Sequence, residues 1–215
     1  MKGITFGNYH SYDDFSLILI SKVISLPRTK TEYVDIPGGD GRLDLTEYFG
    51  EPKYDDRMLT FSFETLLRGE AYYELYNEIA NAIHGKYLQI VLDEDPDFYF
   101  EGRINVNQYK SNDKVGKLVI ECDCYPYQME AIQIRNEFTL DGLEMEVALL
   151  NLKKSVIPMV EVTTTSSITV VYESNSFNLT SGIYEDPRLI LREGSNIIKL
   201  GGTGTIAFTY RRGKL

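Results

Sequence analysis

The sequence predicts a mainly β protein in two parts, with a single helix in the first part. Much of the first part alternates apolar and polar residues, which is typical of half-buried strands. One segment, residues 69–84, instead repeats its apolar residues at helical spacing. Beyond residue 135, short apolar runs recur about every 8 to 12 residues between Thr, Ser, Gly and Asn turns, which is the pattern of a β-sandwich.

Four strand-like segments precede the helix: ITFGNY, FSLILISKVISL, TEYVDIP and MLTFSFETLL. The third of them ends in PGGDGR, a strong turn signal because Pro fixes φ and Gly accepts positive φ. In the fourth, Leu59, Phe61 and Phe63 fall on one side of the strand, so that side is expected to face a core.

The predicted helix is GEAYYELYNEIANAIHG, with Gly85 after its end as a C-cap. Its apolar face would consist of Tyr72, Leu75, Ile79, Ala82 and Ile83. Its polar face would carry Glu70, Glu74, Asn77, Glu78 and Asn81. Such an amphipathic helix is expected to lie on a sheet.

Three further strands follow the helix and predict an antiparallel meander: KYLQIVL, FYFEGRINVNQY and KVGKLVIECDCYPY. The links between them, DEDPD and KSNDK, are rich in turn-forming residues. Cys122 and Cys124 should share one face of the third strand and point into a core. Two thiols are too few ligands for a structural zinc site, so we interpret them as small buried apolar residues.

The acidic run at residues 93–97 invites a metal-binding or a catalytic interpretation. A calcium loop that begins at Asp93 requires Gly at its sixth position and a bidentate acid at its twelfth, but Phe98 and Ile104 stand there. Paired catalytic carboxylates require a cleft that shifts the pKa of one of them, which an exposed tip does not provide. The sequence therefore predicts a solvated hairpin turn.

A change of character near residue 135 predicts a boundary between domains at residues 1–134 and 135–215. The first residues beyond it, IRNEFTLDGLEMEVALLNLKKSVIP, read as a transition. The predicted strands that follow are PMVEVTTT, SITVVYE, SFNLTS, RLILREG, NIIKLGG and GTIAFTYRRG. GGTGT would form a hairpin turn between the last two strands.

The net charge of −10 lies entirely in the first part of the chain. Residues 1–134 contain 13 Lys and Arg against 23 Asp and Glu, whereas residues 135–215 contain nine of each. An acidic surface repels phosphate, so specific binding to DNA, RNA or anionic lipid is not expected. No apolar run approaches the roughly 18 residues of a membrane helix, and the start of the chain does not resemble a signal peptide, so we expect synthesis in the cytoplasm.

The sequence also lacks the patterns of an enzyme. There are two histidines, His10 and His84, and no G-x-S-x-G nucleophile motif. The glycine-rich segments PGGDGR and GGTGT are not followed by the Lys-Ser/Thr pair of a phosphate-binding loop. We therefore predict no enzymatic activity, and no catalytic, cofactor or metal site.

Four phrases in order resemble the distal tail protein (Dit) family of siphophages and prophages of Gram-positive bacteria. The opening MKGITFGNYHSYDDFSLIL is similar to the family's Y/F-x-D-F-G-L phrase, with Ser16 in the place of the Gly. VDIPGGDGRLDLTEYFGEPKYDDRMLTFSF is similar to V-P-G-x-x-G-x-L-D and Y-x-x-R-x-L-x-x-x-F. The acidic hairpin at residues 93–103 and the ending REGSNIIKLGGTGTIAFTYRRGKL are the third and fourth phrases.

The resemblance implies an N-terminal β-sandwich with one α-helix that forms a ring, followed by a C-terminal galectin-like β-sandwich. It implies a hexameric hub at the virion tail tip that joins the tail-tube protein to the tail-associated lysin or fibre protein, and in many phages also to receptor-binding proteins. DNA would pass through an acidic channel without specific binding. No catalytic residues are implied.

Two alternatives to the hub remain at this point. One is a lectin-like carbohydrate-binding module, which the second sandwich and the 16 tyrosines permit but the absence of Trp disfavours. The other is a different tail structural protein, such as a tail-tube protein. The residues of the oligomer interface are unknown from the sequence; the resemblance points only to sheet edges and the excursion at residues 26–60.

Overall fold

The structure, a computed structural model, describes residues 2–48, 50–111 and 116–215 and divides the chain into two compact units. The first unit is Met1–Gln128, with Leu215, and the second is Met129–Lys214. The division precedes the predicted boundary because Glu130 already belongs to the second unit, where its carboxylate accepts hydrogen bonds of 2.9 and 2.7 Å from Arg212. Within the described residues, no helix is long and apolar enough to cross a membrane.

The first unit contains nine strands among its described residues and the helix α1 (Gly69–Ile83). The strands are β1 (Ile4–Phe6), β2 (Tyr9–His10), β3 (Ile18–Ile24), β4 (Tyr33–Asp35), β5 (Arg42–Asp44), β6 (Arg57–Thr65), β7 (Tyr87–Leu92), β8 (Asp95–Ser111) and β9 (Gly116–Cys124). Seven of them form one antiparallel sheet in the order β2-β1-β7-β8-β9-β6-β3, while β4 and β5 pair with each other. The predicted meander is β7-β8-β9; residues 112–114 of its KSNDK link lie outside the described residues.

This long sheet curls until its two ends face each other as a sandwich. Phe6 on β1 lies with its ring centroid 5.9 Å from that of Phe61 and 6.4 Å from that of Phe63, both on β6. Three strands separate β1 from β6 in the sheet, so these rings can meet only across a core. Leu59, Phe61 and Phe63 are all buried, as their alternation predicted.

Helix α1 closes this core with the predicted face. Its buried residues are Tyr72, Leu75, Ile79 and Ile83, and Ala82 is partly buried against them. Gly85 follows the helix with φ +73°, a conformation that glycine adopts without a steric cost, and its N–H donates to the Ile104 carbonyl at 2.7 Å. The predicted C-cap is confirmed, and it turns the chain directly into the meander.

The two cysteines lie in the first core, as predicted. Both thiols are buried and free. Burial raises the pKa of Cys122 well above its usual range and that of Cys124 to about 12, so neither thiol forms a reactive thiolate at neutral pH. The strands are so close here that a Cβ on Gly102 of β8 would lie 2.3 Å from the Asp123 carbonyl oxygen of β9.

Ser16 shows why the similar family phrase has glycine at this position. Its φ is +53°, in the left-handed region that side chains with a Cβ disfavour by about 1–2 kcal/mol. We expect Ser16→Gly to raise the free energy of unfolding by about 0.5–1 kcal/mol in urea titrations. The matched control is Ser21→Gly in β3, an exposed strand position where glycine should destabilise instead; a loss of stability at both positions would contradict the argument.

The second unit is a sandwich whose two sheets share one strand. The strands of this part are β10 (Gln128–Glu130), β11 (Ile134–Asp141), β12 (Met145–Asn151), β13 (Met159–Thr163), β14 (Ile168–Tyr172), β15 (Asn175–Leu179), β16 (Gly182–Tyr184), β17 (Gly194–Tyr210) and β18 (Gly213–Lys214). The first half of β17 pairs with β12 and β14, and its second half with β11 and β13. β15 extends the first sheet and β16 the second.

The GGTGT segment is therefore not a hairpin turn, and that prediction is wrong. Residues 201–205 lie inside β17, at the point where the strand leaves one sheet and enters the other. Gly202 and Gly204 have φ of +113° and +135°, and a Cβ on either would lie within 2.6 Å of a backbone oxygen, at Ser167 and Thr163 respectively. The glycines permit a bend and a close approach, a use that glycine has at sheet corners.

Two other predictions for this unit are also corrected. The supposed transition contains two strands, β11 and β12, which both pair with β17. In β12 the exposed positions include the apolar residues Ala148 and Leu150, so the alternation is not visible in the sequence. RLILREG is not a strand; beyond an isolated bridge from Val156 to Leu191 it is irregular. The backbone of this segment forms hydrogen bonds with the side chain of Asn196. The Oδ1 atom of Asn196 accepts from Arg192 N at 2.8 Å, and its Nδ2 atom donates to the Arg192 carbonyl at 2.8 Å.

Candidate functional site

Several exposed apolar residues of the first unit lie in the segment at residues 26–56, here called the arm. It leaves the sheet after β3 and returns to it at β6. The two sides of its root are joined by backbone hydrogen bonds of 2.8 Å, from Asp55 N to the Arg28 carbonyl and from Lys30 N to the Lys53 carbonyl. The root is thus a short ladder that carries the rest of the arm away from the core.

The outer part of the arm is the hairpin β4–β5, which buries neither of its faces within this chain. All six of its strand residues are exposed, including the directly opposed pair Val34 and Leu43 at 44% and 49%. Other exposed apolar residues of the arm are Leu26, Tyr33, Ile36 and Tyr48. A two-stranded hairpin is marginally stable in water, and exposed apolar patches of this kind commonly mark contact surfaces.

Arg57 fixes the root of the arm to the sheet. It is 3% exposed, and its Nε donates to the Ser25 carbonyl at 2.9 Å while Nη1 donates to the Pro126 carbonyl at 3.2 Å. The guanidinium also lies 5.0 Å from the ring centroid of Phe100. Burial lowers the pKa of Arg57, yet an arginine stays charged, so two carbonyls and an aromatic ring solvate this cation.

The acidic run forms the predicted turn, but the turn is shorter than predicted and three of the four carboxylates contact other groups of the chain. The turn consists of Asp93 and Glu94, and β8 already begins at Asp95. Asp93 Oδ2 accepts a hydrogen bond of 2.6 Å from Gly3 N and lies 3.2 Å from His10 Nε2. Glu94 pairs with a lysine of β3, and Asp95 accepts from a glutamine amide at 3.0 Å. Among the described residues, no group of acids, histidines and cysteines is arranged to hold a metal ion.

The turn therefore ties the first strand to the sheet, and we expect Asp93→Ala to lower the free energy of unfolding by about 1–3 kcal/mol. The substitution removes the acceptor of Gly3 N, a partly buried backbone donor. Amide exchange at residues 3–6 should accelerate before that of the core strands. Asp97→Ala is the control, because Asp97 is exposed in β8. Equal effects of the two substitutions would show that the contact with Gly3 is unimportant.

The two histidines both take part in structural hydrogen bonds. His10 Nδ1 accepts from Asp13 N at 3.1 Å while Nε2 faces Asp93, so the ring lies between two carboxyl-bearing segments. His84 Nδ1 accepts from Val106 N at 3.0 Å, where β8 bulges against β9. This contact of His84 with a strand remote in sequence carries no local signal.

The comparisons with known proteins give a clear likeness in structure. No family model matches the sequence, and no curated protein matches it. The crystal structure of the SPP1 Dit (gp 19.1) protein, described as a paradigm of the hub adsorption apparatus in Gram-positive infecting phages, is similar with a TM-score of 0.70. The likeness covers 98% of this chain and 99% of that chain at 11% sequence identity. At that identity it establishes the architecture: this chain has a Dit-like fold, mainly β, with one helix.

Proposed function

We propose that this chain is a structural hub protein of a phage or prophage tail tip. The observation that carries the proposal is the Dit-like fold, because the likeness spans both units in order and nearly all of both chains. A shared sandwich alone would be weak support, since sandwiches serve many functions. A likeness with a TM-score of 0.70 over nearly the whole of both chains is more specific than a shared sandwich, and the four sequence phrases resemble the same family.

The hub would act as a ring of identical copies, with six as the expected number. The arm supplies a surface suited to such a ring, because the opposed hairpin residues Val34 and Leu43 are exposed and do not belong to the core of the first unit. In a closed ring each copy offers one surface to the next, and the arm would lie against the neighbouring copy. Its remaining partners would be the tail-tube protein on one side and the lysin or fibre protein on the other, with a receptor-binding protein on the second unit.

The acidic first part suits a conduit for DNA. The ring would surround a channel, and an excess of carboxylates repels the phosphate backbone and prevents it from binding to the wall. The protein would thus guide the genome without recognising its sequence. It would be made in the bacterial cytoplasm and act at the tip of the virion tail, as a structural protein and not as an enzyme.

The test is the mass and shape of the purified protein. Light scattering after size exclusion should give six copies of the 24.6 kDa chain, about 148 kDa, and negative-stain electron microscopy should show a six-fold ring with an open centre. The arm variant Val34→Asp with Leu43→Asp should remain folded and become monomeric. These two residues are opposed and exposed, so charge there opposes association without entering a core.

The control variant places the same charges on the second unit, at Leu143 and Ile183. Both residues are exposed, at 73% and 68%, and neither belongs to the arm. This variant should keep the wild-type mass. A ring that survives the arm substitutions would show that another surface joins the copies. The lectin-like alternative would be favoured over the hub by two results together: the wild-type protein is a monomer at every concentration, and its second unit binds glycans.

A further inference from the structure

A second surface of the first unit, separate from the apolar hairpin, combines tyrosines with carboxylates. We call it the tyrosine–carboxylate patch; it consists of Tyr54, Tyr87, Tyr125, Tyr127, Asp56 and Glu101. Asp56, Glu101 and Tyr125 point outward, because the adjacent Arg57, Phe100 and Cys124 are buried. Two of its residues, Tyr54 and Asp56, belong to the root of the arm, just before β6 begins.

The strand register places one tyrosine of the patch between its two acids. Cys124 pairs with Gly102 on one side and with Arg57 on the other, so the preceding residues Glu101 and Asp56 flank Tyr125. The amide of Tyr125 confirms this placement, since it donates to the Glu101 carbonyl at 2.8 Å.

The tyrosine rings of the patch form a contiguous aromatic surface. The Tyr127 ring centroid lies 5.7 Å from that of Tyr125 and 5.8 Å from that of Tyr54, with interplanar angles of 47° and 88°. Rings at such different angles do not form one flat platform, but they offer both faces and edges. Tyr87, on the same outward side of β7, is 55% exposed.

The patch has an uncompensated negative charge. Neither Asp56 nor Glu101 forms an ion pair with any cation whose side chain the structure describes. The pKa of Tyr125 is raised mainly by burial. The negative charges of Glu101 and Asp56 raise it further. The nearest strand partner with a positive charge is Arg103, opposite Tyr87, and its Nη1 donates to the Gly85 carbonyl at 2.6 Å.

We propose that the tyrosine–carboxylate patch binds an arginine side chain presented by another protein. A guanidinium is planar, donates to carboxylates and stacks on aromatic rings, so its chemistry is complementary to the acids and the rings of the patch. The chain already solvates its own arginines in this manner: Arg57 lies 5.0 Å from the Phe100 ring centroid and Arg188 lies 4.9 Å from that of Phe177. The inference does not depend on the proposed hub function.

The test uses the full chain with ¹³C-labelled tyrosine rings and the peptide acetyl-Gly-Arg-Gly-Arg-Gly-amide as the probe. NMR titration should move the ring signals of the patch, and those of Tyr33 in the arm should stay in place. Glu101→Gln combined with Tyr87→Leu should weaken binding at least about tenfold. The matched control, Glu146→Gln with Tyr33→Leu, removes the same groups from exposed positions elsewhere and should leave the affinity unchanged.

Three results would overturn the proposal. The first is an equal response to the peptide with Gln in place of Arg, which would remove the role of the guanidinium. The second is an equal loss of affinity in the patch variant and the control variant, which would indicate diffuse attraction to an acidic protein. The third is a shift of the patch signals by neutral N-acetylglucosamine oligomers and not by the arginine peptide, which would identify a sugar site. Because neither Glu101 nor Tyr87 belongs to the buried core, the variants are expected to fold, and circular dichroism checks this.

Discussion

Replacing Gly204 by Ala should destabilise the second unit by at least about 3 kcal/mol. Two costs add at this position. The φ of +135° lies in a region that residues with a Cβ rarely adopt, and the new Cβ would stand 2.3 Å from the Thr163 carbonyl oxygen. Thr163 is part of strand β13, which pairs with β17 at this point. Relief of the clash would therefore require the two strands to separate.

The same strand supplies the control, since Gly201→Ala should change stability by no more than about 0.5 kcal/mol. A Cβ on Gly201 meets nothing within 4 Å, and its backbone is outside the left-handed region. Urea unfolding of the full chain, followed by far-ultraviolet circular dichroism, gives both values, and amide exchange should place the Gly204→Ala loss in residues 129–214. If the two alanine variants unfold together, the bend in β17 does not require glycine.

The second large effect is expected from Arg57→Met, which should cost about 2–4 kcal/mol and loosen the arm. Methionine preserves the length of the side chain but removes the donors of the Ser25 and Pro126 carbonyls. The first of these carbonyls lies just after β3, where the arm begins, so its loss releases the arm from the sheet. Chymotrypsin should then cut within the arm, at Tyr33 or Leu43, well before it attacks the core.

Arg42→Met is the matched control for this experiment. Arg42 lies at the tip of the hairpin, with an exposed side chain whose Nε is 3.2 Å from Asp35 Oδ1. Exposed ion pairs contribute about 0–1 kcal/mol, so this variant should remain near the wild-type stability and cleavage rate. An Arg57→Met protein as resistant to chymotrypsin as Arg42→Met would show that the backbone ladder alone holds the root.

What the sequence predicted well depended on local periodicity. The buried face of α1, its Gly85 cap and the alternation of β6 follow from spacing along a few turns or residues, and the structure agrees with each. The errors occurred where the role of a residue depends on contacts with segments that are remote in the sequence. GGTGT resembles a turn, and only the pairing of β17 with four other strands shows that it is a bend within one strand.

The candidate surfaces were less accessible to sequence reasoning. The arm appeared only as an excursion implied by a resemblance, because exposed strands such as β4 and β5 carry the same residue types as buried ones. Arg57 and Asp93 gave no local signal, since their partners at Pro126 and Gly3 are remote in the chain. The tyrosine–carboxylate patch likewise depends on the register of β6, β8 and β9, which composition does not encode.

The strand shared by both sheets of the second unit determines when that unit can fold during translation. β17 comprises residues 194–210, whereas its partners β11, β12, β13 and β14 are all complete by Tyr172. All four partner strands are therefore synthesised before the strand that joins them. The first unit can fold while synthesis continues, but neither sheet of the second can be completed until β17 has left the exit tunnel.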